Sequence, residues 1–251
     1  MSAEARDIQT VMWKEWKELV ASTGLKRGGY RLLLIVAILV VLEPLQSSAH
    51  WFDSPLPILF DGLYLPFALL TSLAASAFAG ERERHTLETL IATRLSDRAI
   101  LLGKIIALTL CGWTLSLVAS LAQIGVVAVA SAARHTQTRA FYSAPVIVGI
   151  LVLSPLFSLL ITGVGSALSL RAVSVQQAQQ MLTVAFLTLA IVPVVAVQLI
   201  PAQTRAQIVR WFVQFGPMTA LIVIALVVAL IDGVIVATTL ARFRRARLVV
   251  G

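Results

Sequence analysis

The sequence predicts an all-α integral membrane protein. Six transmembrane helices are expected, with an N-terminal interfacial amphipathic helix before the first and a short cytoplasmic helix between the second and third. Three observations predict this. The 251 residues are 59% hydrophobic and only 13% charged, with a mean hydropathy of +0.91, whereas a soluble domain is about half apolar and about a quarter charged. Six apolar runs are long enough for the ~20 residues a helix needs to cross ~30 Å of hydrocarbon. The net charge of +8 is gathered at the ends of those runs, as membrane topology requires. That distribution argues against nucleic acid as a partner.

Residues 1–28 form the cytoplasmic and interfacial segment. Within IQTVMWKEWKELV, Ile8, Val11, Met12, Trp16, Leu19 and Val20 fall on one helical stripe, with Lys14, Lys17 and Glu18 on the other side, a pattern suited to a helix lying in the membrane interface. No short apolar core followed by a small-residue cleavage site is present, so no cleavable signal is expected. Residues 29–241 carry the spans. The first runs from about Arg31 to Trp51 and is interrupted by Glu43-Pro44; the second covers Ile58 to Ala79, where Gly80 can end it. The third, from Ala99 to Ala133, is too long for one crossing, so its start near Lys104 projects into the cytoplasm. Ser96 or Asp97 can cap it. The fourth, fifth and sixth cover Ala144 to Leu170, Gln180 to Ile200 and Met218 to Leu240. Residues 242–251 are a basic tail suited to anionic headgroups.

Lysine and arginine set the orientation. With both termini cytoplasmic, sixteen basic residues lie inside and four, Arg134, Arg139, Arg205 and Arg210, lie outside. The expected location is therefore the cytoplasmic (inner) membrane, crossed several times.

Between spans two and three the chain reads GERERHTLETLIATRLSDRAILLGK, residues 80 to 104. At the bilayer centre a charged residue such as Arg82 costs about 2.5–3.5 kcal/mol, so Glu81, Arg82, Glu83, Arg84 and Glu88 together keep this stretch out of the hydrocarbon. Glu81 and Glu83 sit where negative charge favours a helix start. Leu87, Leu90 and Ile91 give a short apolar face at helical spacing. Such a face either folds back on its own bundle and the headgroups or docks into a groove of a cytoplasmic partner.

This stretch resembles the signature of ABC-2 type transporter permeases, ExExGTLExLL followed by ILLGK. Here it reads E-R-E-R-H-T-L-E-T-L-I from Glu81 to Ile91 and I-L-L-G-K from Ile100 to Lys104. His85 replaces the usual glycine, and Arg94 stands where proline is common. A second stretch, SVQQAQQ from Ser174 to Gln180, is similar to the polar segment that opens the fifth helix of these permeases. The resemblance implies a permease subunit of an ATP-driven exporter, paired as a homodimer or heterodimer, with two ABC ATPase subunits docked beneath. The helix over about residues 81–95 would be the coupling helix. Glu81, Glu83, Thr86, Leu87, Glu88, Leu90 and Ile91 would carry coupling to the ATPase. Ser174, Gln176 and Gln177 would make a second cytoplasmic contact.

The chain itself is not expected to be an enzyme. It has no GxxxxGK[ST]: Gly103-Lys104 is followed by Ile105 and Arg98 replaces the first glycine, so ATP and magnesium would belong to the partner. Three histidines without an HExxH, and one cysteine, provide no metal set. An ATPase-independent channel or secondary carrier is the alternative. It would call for ionisable residues converging at mid-membrane and for repeat symmetry between the halves, and only Asp232 is clearly embedded. Asp232 is a functional candidate by its position, against pairing with a polar neighbour or lying in the wetter half of its helix. Glu43 and Asp61, near the outer ends of their helices, are expected to be solvated. The small-residue patch Thr162 to Ala167 is expected to let helices pack closely.

Overall fold

The computed structural model describes residues 3–22, 56–83, 96–134, 141–201 and 216–242, with scattered positions between 37 and 54 and at 203–207. Its helices are α1 (Ala3–Ser22), α2 (Leu56–Leu59), a π-helical turn (Phe60–Tyr64), α3 (Leu65–Glu83), α4 (Asp97–Ala133), α5 (Ala144–Ser169), α6 (Val175–Leu199) and α7 (Gly216–Arg242). Among the described residues there are no strands, and four stretches among them are long and apolar enough to cross a membrane: Pro57–Glu81, Asp97–Ala133, Ala144–Ser169 and Gly216–Ala241. They coincide with the expected spans two, three, four and six. The 25-residue α6 occupies the place of the fifth. Most of the expected first span, the core of the charged stretch and the basic tail lie outside the described residues.

Helix α5 is central, packed against α3, α4, α6 and α7. Among the described residues, the two largest of four apolar clusters hold most of the bundle. One joins Leu70, Ala74 and Phe78 of α3 to Leu101, Ile105 and Leu108 of α4, Ile161 of α5, and Leu182 and Phe186 of α6. The other, at the opposite end, gathers Trp51, Phe52, Ile58, Val127, Tyr142, Val146, Ile150 and Leu153. Small residues set the helix spacing, as the Thr162 to Ala167 patch suggested. A Cβ on Gly165 would stand 2.5 Å from that of Ala74, and one on Gly163 would stand 3.1 Å from Ile235.

Helix α4 has 37 residues, about 55 Å at 1.5 Å per residue, so one end must project beyond a ~30 Å core. Its N-cap is Ser96, whose hydroxyl accepts from the Ala99 amide. Ser96→Ala should cost about 1 kcal/mol, read as a lower unfolding midpoint in detergent with no change in helix content.

Gly80 does not end the second span, because α3 continues through it to Glu83. The glycine serves close approach instead: a Cβ there would lie 3.6 Å from Val175 at the start of α6. Asp61 is not solvated either. It is fully buried within the π-helical turn, because Ser120 and Gln123 of α4 supply its hydrogen bonds in place of water.

Candidate functional site

The charged stretch enters from the end of α3, and four helices grip that end. Glu81 Oε1 accepts from Lys104 Nζ of α4 at 2.7 Å, and the same ammonium donates to Glu15 Oε1 of α1 at 2.9 Å. Lys104 is only 2% exposed although Glu15 and Glu81 are partly open. Its charge also sits 5.4 Å above the Phe78 ring of α3, a further stabilising contact for a desolvated cation. A lysine reaches this depth because its helix projects past the hydrocarbon and two carboxylates converge on it. Val11 of α1 lies against Gly103, where any Cβ would come within 2.7 Å of it. The stripe on α1 that the sequence marked therefore meets α4 at the residue before Lys104.

On the other side, Glu83 Oε1 accepts from the backbone N–H of Val175 at 2.8 Å, the first residue of α6. A carboxylate at a helix start satisfies an otherwise unpaired amide and complements the helix dipole. Ser169, the last residue of α5, inserts its hydroxyl into the backbone of α3. It donates to the Ala75 carbonyl at 2.7 Å and accepts from the Phe78 and Ala79 amides. So α1, α4, α5 and α6 are all tied to the final turns of α3.

Glu81 and Glu83, assigned from the motif to contact with an ATPase, thus hold partners within the chain. Thr86, Leu87, Glu88, Leu90 and Ile91 lie outside the described residues. Ser174 and Gln177 cap α6: the serine hydroxyl accepts from the Gln177 amide at 3.2 Å, and the glutamine carbonyl accepts from the Val173 amide at 2.9 Å. This is a variant of the capping box. Gln176 is exposed beside them and is the member of that trio left facing outward.

A second polar cluster lies at the opposite end of the bundle. Asp61 Oδ1 accepts from Gln123 Nε2 at 2.8 Å, and Asp61 Oδ2 stands 2.7 Å from Ser120 Oγ. Gln123 Oε1 in turn accepts from the Trp51 indole at 3.1 Å and the Tyr142 hydroxyl at 2.9 Å. The sequence carried a signal for this cluster: one carboxylate in the apolar run of residues 56–79, and Ser120 and Gln123 one turn apart in the next span. Asp232 is 2% exposed, and neither carboxylate oxygen has a hydrogen-bond partner among the described residues. The polar neighbour, one of the two alternatives to a functional role, is therefore not found among them. Among the described residues no cluster of histidine, cysteine and acidic side chains could hold a metal.

Comparison with known proteins adds one match. A family model described as ABC-2 family transporter protein matches residues 57–240. No curated protein and no solved structure matches the chain.

Proposed function

The chain belongs to the ABC-2 family of transporter permeases, and on that premise we propose that it is the membrane subunit of an ATP-driven exporter. As such a permease it is a transmembrane transport component rather than an enzyme. In the proposed assembly two permease chains, identical or different, pair in the cytoplasmic membrane with both termini inside, and separate ABC ATPase subunits dock beneath them. Those subunits hold the ATP and magnesium. The stretch over residues 84–95, which follows α3, receives the ATPase as a coupling helix through Thr86, Leu87, Glu88, Leu90 and Ile91, with Gln176 as a second contact. Six spans, the first lying before α2, complete the membrane domain.

One observation carries this reading. The turn of α3 that leads into the charged stretch is bound at once to α1 through Lys104 and Glu15, to α4 through Lys104, to α5 through Ser169 and to α6 through Glu83. A push or pull on residues 84–95 would therefore reach four helices through hydrogen bonds of 2.7–2.9 Å. Alternating access requires such a mechanical junction, and a plain connecting loop would not. Lipid completes the surroundings: an open cleft between α1, α4 and α7, lined by Ile8, Leu102 and Leu240 with Arg98 on it, offers apolar walls and one cation to the inner leaflet.

The test is co-purification from membranes with the genomic neighbours co-expressed. A stoichiometric ABC ATPase should accompany the wild-type chain and be lost with Leu87→Asp. With Glu83→Ala it should remain bound, and its ATP hydrolysis should no longer respond to substrate. Absence of any ATPase under gentle solubilisation would sink the proposal.

A further inference from the structure

Asp61 is a carboxyl group surrounded by neutral partners, and the count of hydrogens around it is informative. The indole of Trp51 can only donate, so Gln123 must turn its carbonyl oxygen toward Trp51 and its amide nitrogen toward Asp61 Oδ1. That leaves Oδ2 facing Ser120 Oγ at 2.7 Å. Ser120 has one hydroxyl hydrogen and two oxygens within hydrogen-bond distance, Asp61 Oδ2 and the Ser116 carbonyl at 2.9 Å. A serine within a helix ordinarily donates back to the carbonyl one turn earlier. If it does so here, the short contact to Asp61 lacks a hydrogen, and only the carboxyl can supply one. Charge leads to the same place. Among the described residues no lysine, arginine or histidine meets Asp61, and an uncompensated carboxylate buried in an apolar bundle is among the most costly groups a protein can carry.

We propose that Asp61 is a proton-binding site: a neutral carboxylic acid whose Oδ2–H donates to Ser120 Oγ, and whose proton clasps this end of the bundle shut. The clasp draws on four parts of the chain: the π-helical turn, α4, Trp51 before α2 and Tyr142 before α5. A π-helical turn of this kind is often found at functional positions. When these parts separate, Oδ2–H passes its proton to solvent, while Ser120 keeps its bond to Ser116. Reclosing takes a proton back. Among the described residues Tyr142 is the titratable group that faces the cluster, and Tyr64 of the same turn as Asp61 is exposed. Helix α5 and α2 contain no titratable side chain, and the nearest on α4, Cys111, is nine residues before Ser120. The orientation proposed above puts this end outside, but the clasp stands on its own hydrogen bonds and is tested without that orientation.

Two measurements on the full chain in detergent, where both faces share one buffer, test it. The first is infrared difference spectroscopy of wild type against Asp61→Asn. A protonated-carboxyl carbonyl band that shifts in deuterium oxide should be present in wild type and absent from the variant, and Ser120→Ala should shift it without removing it. The second uses Val127→Cys, at a fully buried position in the adjoining cluster, in a Cys111→Ser background, with and without Asp61→Asn. The maleimide labelling rate of the chain that keeps Asp61 is divided by that of the chain carrying Asp61→Asn, which cancels the thiol's own response to pH. This ratio should stay near unity in acid and climb several-fold as the buffer becomes alkaline. Asparagine copies the neutral acid in shape and can donate to Ser120, so Asp61→Asn should fold normally. A variant that unfolds, a missing band, or a ratio flat with pH would each overturn the proposal.

Discussion

Replacing Lys104 with methionine is expected to lower stability by about 3–5 kcal/mol, the usual cost of removing one partner from a buried ion pair. The figure applies here because the ammonium is almost wholly buried and holds two carboxylates at 2.9 and 2.7 Å. Without it, Glu15 and Glu81 face each other in a partly desolvated space with like charges. The loss should therefore be recovered in good part by adding Glu15→Gln and Glu81→Gln, which remove the stranded charges. Lys104→Met alone should be the worst of the series and the triple variant close to wild type. Denaturant unfolding in detergent gives the ranking. A small effect of Lys104→Met would mean that water reaches the site and that the pair is an ordinary surface bridge. Transport gives a second reading. The triple variant restores stability but not the tie between α1, α3 and α4, so in the proposed assembly it should fold and bind the ATPase, whose ATP hydrolysis should then no longer move substrate.

The sequence made the membrane character, four of the crossings and the helical start at Ser96 legible, because each rests on a local quantity: run length, hydropathy or a capping side chain. The resemblance carried by Glu81 to Ile91 and Ile100 to Lys104 found the right family. What the sequence hid is how the charged side chains turn. Glu81 and Glu83 are assigned to coupling through the resemblance alone, which says nothing of partners inside the chain. Glu81 turns toward Lys104, which depends on α3 continuing past Gly80 and on Lys104 arriving from the next helix of the chain, whereas Glu83 stays exposed while it accepts from the Val175 amide. Asp61 was misread for a related reason. Its place near a helix end suggests water, and only the register of Ser120 and Gln123 across from it makes burial possible. Side-chain partners on other helices are tertiary information, and the 3.6-residue period of one helix does not contain it.

The glycines turn that tertiary information into an ordered forecast. Gly165→Ala should destabilise the bundle by about 1–3 kcal/mol, the cost of overpacking. Its new methyl would meet the Ala74 Cβ at 2.5 Å and Leu182 at 3.2 Å, and the Ala74 carbon cannot move unless α3 itself moves. Gly112→Ala should cost less. The atoms nearest its methyl are a Leu70 tip at 2.6 Å and the Ser158 hydroxyl at 2.7 Å, and both can swing aside. Gly125→Ala meets nothing within 4 Å and should stabilise by about 0.5–1 kcal/mol, the ordinary gain of alanine over glycine inside a helix. Unfolding midpoints should therefore fall in the order Gly125→Ala, wild type, Gly112→Ala, Gly165→Ala. If Gly165→Ala proved neutral, α3 and α5 could not be in the tight contact that places Ser169 in the backbone of α3. Because α3 leads directly into the stretch proposed to couple to the ATPase, the same spacing that sets stability would also set how faithfully a push on residues 84–95 reaches α5. Gly165→Ala should for that reason weaken substrate-stimulated ATP hydrolysis even at temperatures where the variant remains folded.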